Sequence, residues 1–542
     1  MERPFIQLVL FCLGSGLLFY TVTGRSFVSD DFAVMKRVGM DKVIWIKGFF
    51  RPLSDITLYF NYLLDGFHPA GYYWLNILIH GVSSYLLFLF CLHWKWTEEK
   101  GLQRKYAFIA ALLFLAYPFH NESVVWLLGR ASLVANLFGI VALLMVVSDL
   151  SAGWRIAGAC LFYFIGMASY ESIMLLPLMV LIIQYDRGKP VRQYVSWGMA
   201  LGGTLLAHLA VRIAVSGGVV GSYGNGFLGS RLMQYGGNLF KVTGRLFLPP
   251  VEDSHRMLLW FGLLVAGWSG AVVVFLRRTR GQAVVRSYFY KLFLLLTITC
   301  AVPVLSGVST RTSEGDRLLY FPSFFVCCGV AFWLVSCLRG NKWLSLPVLG
   351  LVIGGVVLIE KNNRNWVRAS DMTRGILSVI RRQPPGKKIF LVNLPEELDG
   401  AYIFRVGLPE ALLMNGMDTS GVTIVNQLGR LQELVLPDSI AAGQMGGEWQ
   451  IAPMVGIRKR GTDSLEIWRM GSAGGQGSPD SPGADLRQAA GGAGTSGLLP
   501  GVRSERAEGT DAGETAQAGS WFAGKDDIVL YWNKKRLLRW AP

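Results

Sequence analysis

The chain has 542 residues, of which 52% are hydrophobic and only 16% charged, and its mean hydropathy is +0.39. Soluble domains usually carry about 25% charged residues, so the composition excludes an ordinary soluble globular protein. The formal net charge of +16 invites a nucleic-acid reading. Its placement excludes that reading too, because the basic residues collect in short connections between apolar blocks.

The blocks, in chain order, are Phe5–Val22, Tyr72–Leu92, Tyr106–Tyr117, Leu133–Val147, Ile156–Ala168, Ile173–Ile183, Trp197–Val215, Leu258–Phe275, Leu292–Leu305, Leu318–Val335 and Leu344–Ile359. The long ones approach the ~20 apolar residues that a helix needs to cross a bilayer. The shorter ones alternate with them and share their chemistry. The expectation is an α-helical polytopic membrane protein with about eleven transmembrane helices. Lys95, Lys100, Arg104 and Lys105 lie in one connection, and Arg187, Lys189 and Arg192 in another. Arg277, Arg278, Arg280 and Arg286 follow, then Arg339 and Lys342. These clusters fall on every second loop, which puts the N-terminus inside and both 23–70 and everything after about Lys361 outside. The first loop is itself basic, an exception suited to an outer loop that meets phosphate. All seven Cys fall in apolar blocks, where they read as small buried hydrophobes, with no disulfide framework and no metal-ligand spacing.

Four parts are expected: a membrane module over 1–360, an extracytoplasmic domain over 361–470, a Gly/Ser/Ala-rich linker over 471–520, and a terminal hairpin-like segment over 521–542. The polar stretch after Lys361 reads as an amphipathic helix ending at Pro384-Pro385. Short alternating runs follow at Lys388–Asn393, Ala401–Val406, Gly421–Asn426 and Ser464–Arg469, which predict a small α/β or β-rich domain. The linker lacks the apolar residues to bury a core and is expected to be disordered. A turn at Asn533-Lys534 would close the terminal hairpin.

Four stretches carry the residues with chemistry. Ser29-Asp30-Asp31 follows the first span. Two adjacent carboxylates near low dielectric repel each other, which raises one pKa and yields a base. Ser29 or Asp30 capping a short helix over Phe32–Val38 is a compatible plainer reading. His120, Glu122 and Arg130 lie in YPFHNESVVWLLGRASLVAN, at a depth where ionisable groups are expensive. Glu122 and Arg130 are two helical turns apart, too far to pair directly on a straight helix. Tyr170-Glu171 precedes the sixth span, as a helix cap or a site residue. STRTSEGDRLLYFP, residues 309–322, brings Arg317 and Tyr320. Arg suits bidentate capture of phosphate, against the alternative of a snorkelling Arg beside an interfacial Tyr.

As an ordered set, the acidic pair, FRPL at Phe50–Leu53, the P-x-G-Y-x-x-x-N-x-x-x-H run from Pro69 to His80, the H-x-E and G-R-A-x-L segments and EGDRLLYFPS resemble the membrane module of the GT-C superfamily. The nearest likeness is to the O-mannosyltransferase-like proteins that in animals carry tetratricopeptide repeats, here without the repeats. The segment before Leu175 reads Tyr-Glu where that group has Lys-Glu. The resemblance implies a glycosyltransferase that takes a sugar from a polyprenyl-phosphate donor by inverting displacement. Asp30 or Asp31 would be the general base. Arg130, Arg317, Tyr320 and Arg51 would hold the donor phosphate. Glu122, His120 and Glu171 would orient those groups or bind the acceptor. His120, Glu122 and the Asp pair are also plausible ligands for a divalent metal, and metal use is left open. The expected partners are the lipid-linked donor, an exported protein or envelope glycan as acceptor, and membrane lipids, with no nucleic acid. A bacterial plasma membrane is the expected location. The rival readings are a transporter or lipid flippase, and a non-catalytic assembly or sensor protein.

Overall fold

A computed structural model describes residues 4–44, 50–186, 188, 190–217, 232–338, 342–429, 448–452, 455–460, 464–469, 520–524, 528–532 and 537–539. The expected disordered linker over 471–520 except Ser520, which opens a strand, the turn at Asn533-Lys534 and the basic residues Arg187, Lys189 and Arg339 lie outside the described residues.

The helices run α1 Pro4–Phe19, α2 Asp30–Met35, α3 Pro52–Asp65, α4 Pro69–His93, α5 Lys100–Leu115, α6 Asn121–Val125, α7 Arg130–Val147, α8 Ala152–Met167 and α9 Leu176–Gln184. They continue as α10 Val191–Ser216, α11 Leu232–Arg245, α12 Ser254–Arg278, α13 Ala283–Thr299, α14 Ala301–Ser306, α15 Tyr320–Cys337, α16 Ser345–Arg381 and α17 Leu408–Met414. Ten of the eleven apolar blocks fall within one of these helices or overrun its end by a few residues, and Leu292–Leu305 is divided between α13 and α14. Among the described residues, eight helical stretches are long and apolar enough to cross a membrane. The chain is a polytopic helical membrane protein.

Burial separates the spans. α4, α7 and α15 hide two thirds or more of their apolar windows inside the bundle, whereas α12 hides 6% and α16 hides 11%. The first three form the centre, with α5 packed between α4 and α15. The seven cysteines are free thiols, and Cys91 meets Cys328 in that centre with the sulfurs 3.6 Å apart.

The last span and the expected amphipathic helix are one element. α16 runs unbroken for 37 residues, about 56 Å at 1.5 Å per residue, well beyond a ~30 Å hydrocarbon core. Its far half presents Asn363, Trp366, Ser370 and Thr373 inward against the bundle end, where Asn121 donates to the Asn363 side chain at 2.7 Å. The strands β1 Ile389–Val392, β2 Leu394–Pro395, β3 Glu397–Leu398, β4 Ala401–Tyr402, β5 Val422–Ile424 and β6 Gln427–Leu428 follow this helix. After them come β7 Glu448–Ala452, β8 Val455–Arg460, β9 Ser464–Arg469, β10 Ser520–Gly524, β11 Ile528–Trp532 and β12 Leu537–Arg539. One sheet has the order β12-β11-β1-β5, in which β1 pairs in parallel with both neighbours, and a second has the order β10-β9-β8-β7. The final residues are thus divided: β10 completes the second sheet, and the β11/β12 pair completes the first.

Candidate active site

The acidic pair opens α2 at the end of the bundle that carries the strands. The expected cap is different in detail. Ser29 adopts φ 45° and ψ −122° and makes no side-chain cap, and the helix is shorter than expected, passing into a wide π turn over Lys36–Met40. Asp31 turns back instead, and its Oδ2 accepts the Val28 backbone N–H at 3.1 Å.

The strained Ser29 backbone is held from outside. Its N–H donates to the Ile403 carbonyl at 2.9 Å, and its Oγ accepts the Val406 N–H at 3.3 Å. Gly407, at φ +84°, lies so close that an added Cβ would stand 2.4 Å from the Ser29 carbonyl oxygen. The Phe32 and Phe404 rings stack at 6.1 Å between centroids.

The two carboxylates differ. Asp31 is wholly buried, and Oδ1 has no hydrogen-bond partner among the described residues. Burial raises its pKa to about 8; the Val28 N–H and the nearby Arg25 oppose that rise, and Asp30 adds to it. Asp30 keeps 22% of its side chain exposed and receives the Arg405 guanidinium at 3.1 Å. Arg405 also reaches Glu314 at 2.9 Å and lies over the Tyr402 ring at 4.3 Å. Burial works against its charge, but Tyr402, Asp30 and Glu314 together hold it above the usual Arg range.

Glu122 is buried beside them, on α6. Its Oε1 accepts the Arg317 guanidinium and the Tyr402 hydroxyl, the latter at 2.9 Å. Its Oε2 accepts the Arg317 backbone N–H at 2.8 Å. Burial first, then the Glu122 charge, keeps Tyr402 a protonated donor far above its ordinary pKa. The turn after α6 must pass close to this carboxylate's backbone. At Gly129 a Cβ would stand 2.2 Å from the Glu122 carbonyl oxygen, so only glycine fits.

The remaining expected residues lie elsewhere. Arg130 is fully buried on uncharged oxygens: Asn76 Oδ1 at 2.6 Å, Asn61 Oδ1 at 2.5 Å, and the Tyr72 and Thr57 carbonyls at 2.7 and 3.3 Å. Tyr320 is buried with its hydroxyl 2.9 Å from His80 Nδ1. His120 sits against that tyrosine, ring centroids 4.4 Å apart, with Nε2 2.7 Å from Ser323 Oγ. The Asn and His of the motif after Pro69 therefore serve as internal fasteners for Arg130 and Tyr320. Arg51 belongs to a second cluster, where Glu171 takes Arg51 at 3.3 Å and Arg212 of α10 at 2.7 Å. Arg51 also covers the Tyr170 ring at 4.5 Å.

Among the described residues no three His, Cys, Asp or Glu side chains gather in a metal-holding arrangement. Reading the sequence alone overlooks Arg405, Tyr402, Arg25 and Arg212. Arg212 left a signal, as a cation four residues from His208 inside an apolar span, where ionisable groups are rare. Arg405 left none, being one charge in a strand-like run.

No family model matches the chain. Among curated proteins it is similar to protein O-mannosyl-transferase TMTC3 of Homo sapiens, 36% identical over 95 residues, which is 18% of this chain and 10% of the relative. Protein O-mannosyl-transferase TMTC4 of Mus musculus is 36% identical over 103 residues, 18% of this chain and 14% of the relative. Protein O-mannosyl-transferase TMTC1 of Homo sapiens is 33% identical over 104 residues, 19% and 11%. The chain thus covers 10 to 14% of these relatives' own length. The resemblance carried by the motifs is borne out: the proteins this helical membrane chain is similar to are protein O-mannosyltransferases.

Proposed function

We propose that this chain is an integral membrane glycosyltransferase that moves a sugar from a polyprenyl-phosphate donor to a hydroxyl on the extracytoplasmic side. The favoured acceptor is a Ser/Thr hydroxyl of an exported protein, with an envelope glycan or lipid as the other candidate. The expected membrane is a bacterial plasma membrane, with the strands on its outer side.

The observation that carries this reading is the divided acidic pair, with Asp31 buried and Asp30 reachable beside Arg405. The acceptor oxygen attacks the anomeric carbon as the bond from that carbon to the phosphate oxygen breaks, which inverts the centre. The hydroxyl proton passes to Asp30, and the lipid departs as a phosphate monoester. General-base help of this kind contributes about 10²- to 10⁴-fold. One carboxylate is enough, because the phosphate is already a good leaving group. Arg317 and Arg51 each leave about a fifth to a quarter of the side chain exposed, and they are the cations assigned to the donor phosphate, where charge builds in the transition state. Arg130 and Tyr320, buried on their own partners, hold the frame that carries them.

The test is transfer of radiolabelled sugar from a panel of polyprenyl-phosphate donors in membranes containing the protein, with the anomeric configuration of the product determined. Transfer with inversion is the expected result. Absence of transfer from every donor, with the protein folded, would remove this reading and favour transport.

A further inference from the structure

We propose that Arg405, from the strand region after the last span, is a positioning residue of the transfer site, fixing Asp30 and tying the Ser29–Asp31 loop to the 309–316 loop. This inference rests on the transfer reading above. It makes residues 401–407 a wall of the site, and the strand region more than an appendage.

The contacts form a continuous series. Tyr402 binds Glu122, Ile403 holds the Ser29 backbone and Val406 its hydroxyl, Phe404 stacks on Phe32, and Gly407 allows the close approach. Arg405 alone among them places charge on the acidic pair. Two different guanidinium nitrogens reach two different segments, Nη2 to Asp30 and Nη1 to Glu314. A planar fork anchored at both ends, with a ring beneath it, has little freedom left. The carbonyls of Phe404 and Arg405 are in turn fixed by the Gln427 amide, at 2.8 and 3.2 Å. The loop over 309–316 is pinned independently, since Ser313 Oγ donates to the Asp399 carbonyl at 3.2 Å. Arg405 therefore acts between two loops that are already docked, and its own contribution is the placement and charge balance of Asp30. The charges around the pair are Arg25 near Asp31, Arg405 and Glu314 at Asp30, and Arg317 on Glu122.

The experiment measures sugar transfer against pH by the full-length protein in membranes, for wild type, Arg405→Ala, Arg405→Gln, Arg405→Lys and Asp30→Asn. Misplacing a reacting group by about 1 Å can reduce rate on the order of 100-fold. The expected result for Arg405→Ala and Arg405→Gln is a fall in kcat on the order of 10- to 100-fold. The acid limb of the rate profile should also move to higher pH, because a lost cation favours protonation of the carboxylates. Arg405→Lys should restore the position of that limb and only part of the rate. If Arg405→Ala fails to fold, Arg405→Gln, which retains side-chain hydrogen bonding, carries the test. An unmoved acid limb in Arg405→Gln, whether the rate is normal or merely follows the amount of folded protein, overturns the proposal. The parallel Asp30→Asn variant separates the two ideas. Retained transfer there removes the base assignment itself, and lost transfer beside a wild-type Arg405→Gln removes only the positioning role.

Discussion

Two clusters of Arg and carboxylate face each other in character but not in make-up. Around Asp30, the carboxylates Asp30, Asp31, Glu122 and Glu314 meet Arg25, Arg317 and Arg405, and acid predominates. Around Glu171, one carboxylate meets Arg51 and Arg212, and cation predominates. The first is assembled from segments as far apart as residues 30 and 405. The second is built from the bundle itself. On the proposed reading the comparison separates proton acceptance from part of the donor's charge: Asp30 lies in the acid-rich cluster, Arg51 in the cation-rich one, and Arg317 beside Glu122 joins the two tasks.

The largest expected effect breaks the first cluster at its reachable carboxylate. Asp30→Asn should lower transfer by at least about 100-fold while leaving the protein folded. Glu122→Gln comes next, and acts on stability. Glu122 is buried with three donors, and because Arg317 stays partly solvated, losing the buried acceptor charge should cost about 1–3 kcal/mol. Thermal unfolding in detergent should show a drop in midpoint, with the residual activity following the folded fraction.

Arg51→Ala sharpens the contrast with the second cluster. It should raise the donor KM about tenfold, the loss of one charge-assisted contact, while leaving the pH profile unmoved. A shift of the pH profile here would merge the two clusters into one.

The smallest effect concerns Asp31 and pH. Its folded pKa, about 8, lies above the ordinary carboxylate value, so between about pH 4 and 8 the unfolded chain has released a proton that the folded chain still binds. Folded stability therefore falls as pH rises through that window and levels off above it. Asp31→Asn should flatten this part of the midpoint-against-pH curve, and an identical slope in wild type and variant would contradict the burial argument.

The bundle was readable because a bilayer demands apolar helices: eight of the described stretches are long enough to cross it, and the shorter blocks form shorter apolar helices. The acidic pair, Glu122 and Arg317 were readable as charges that a membrane protein does not place idly. Two features of the tail were not. Polar composition after Lys361 suggested a separate helix, but α-helical hydrogen bonding does not stop at the membrane surface, and α16 continues through it. The KIFLVN run predicted a strand, and β1 is one, yet its parallel partner β11 lies well over a hundred residues away, a pairing that alternation cannot specify. Arg405 was hidden for the same reason. Its strand-like neighbours Ile403 and Phe404 describe local burial, whereas its role depends on a loop that enters the structure 375 residues earlier. Arg130 shows the reverse case. A charge at the right depth invited a phosphate, and Asn61 and Asn76 turn out to occupy its donors.

The most direct measurement is the rate of labelled-sugar transfer from a saturating polyprenyl-phosphate donor to a Ser/Thr peptide, for wild type and Asp30→Asn in the same vesicles. The account predicts that kcat collapses in the variant while the donor KM stays within about twofold, since Arg317 and Arg51, not Asp30, are assigned to the donor phosphate. A variant that keeps its kcat, or one that changes only the donor KM, would contradict the central claim.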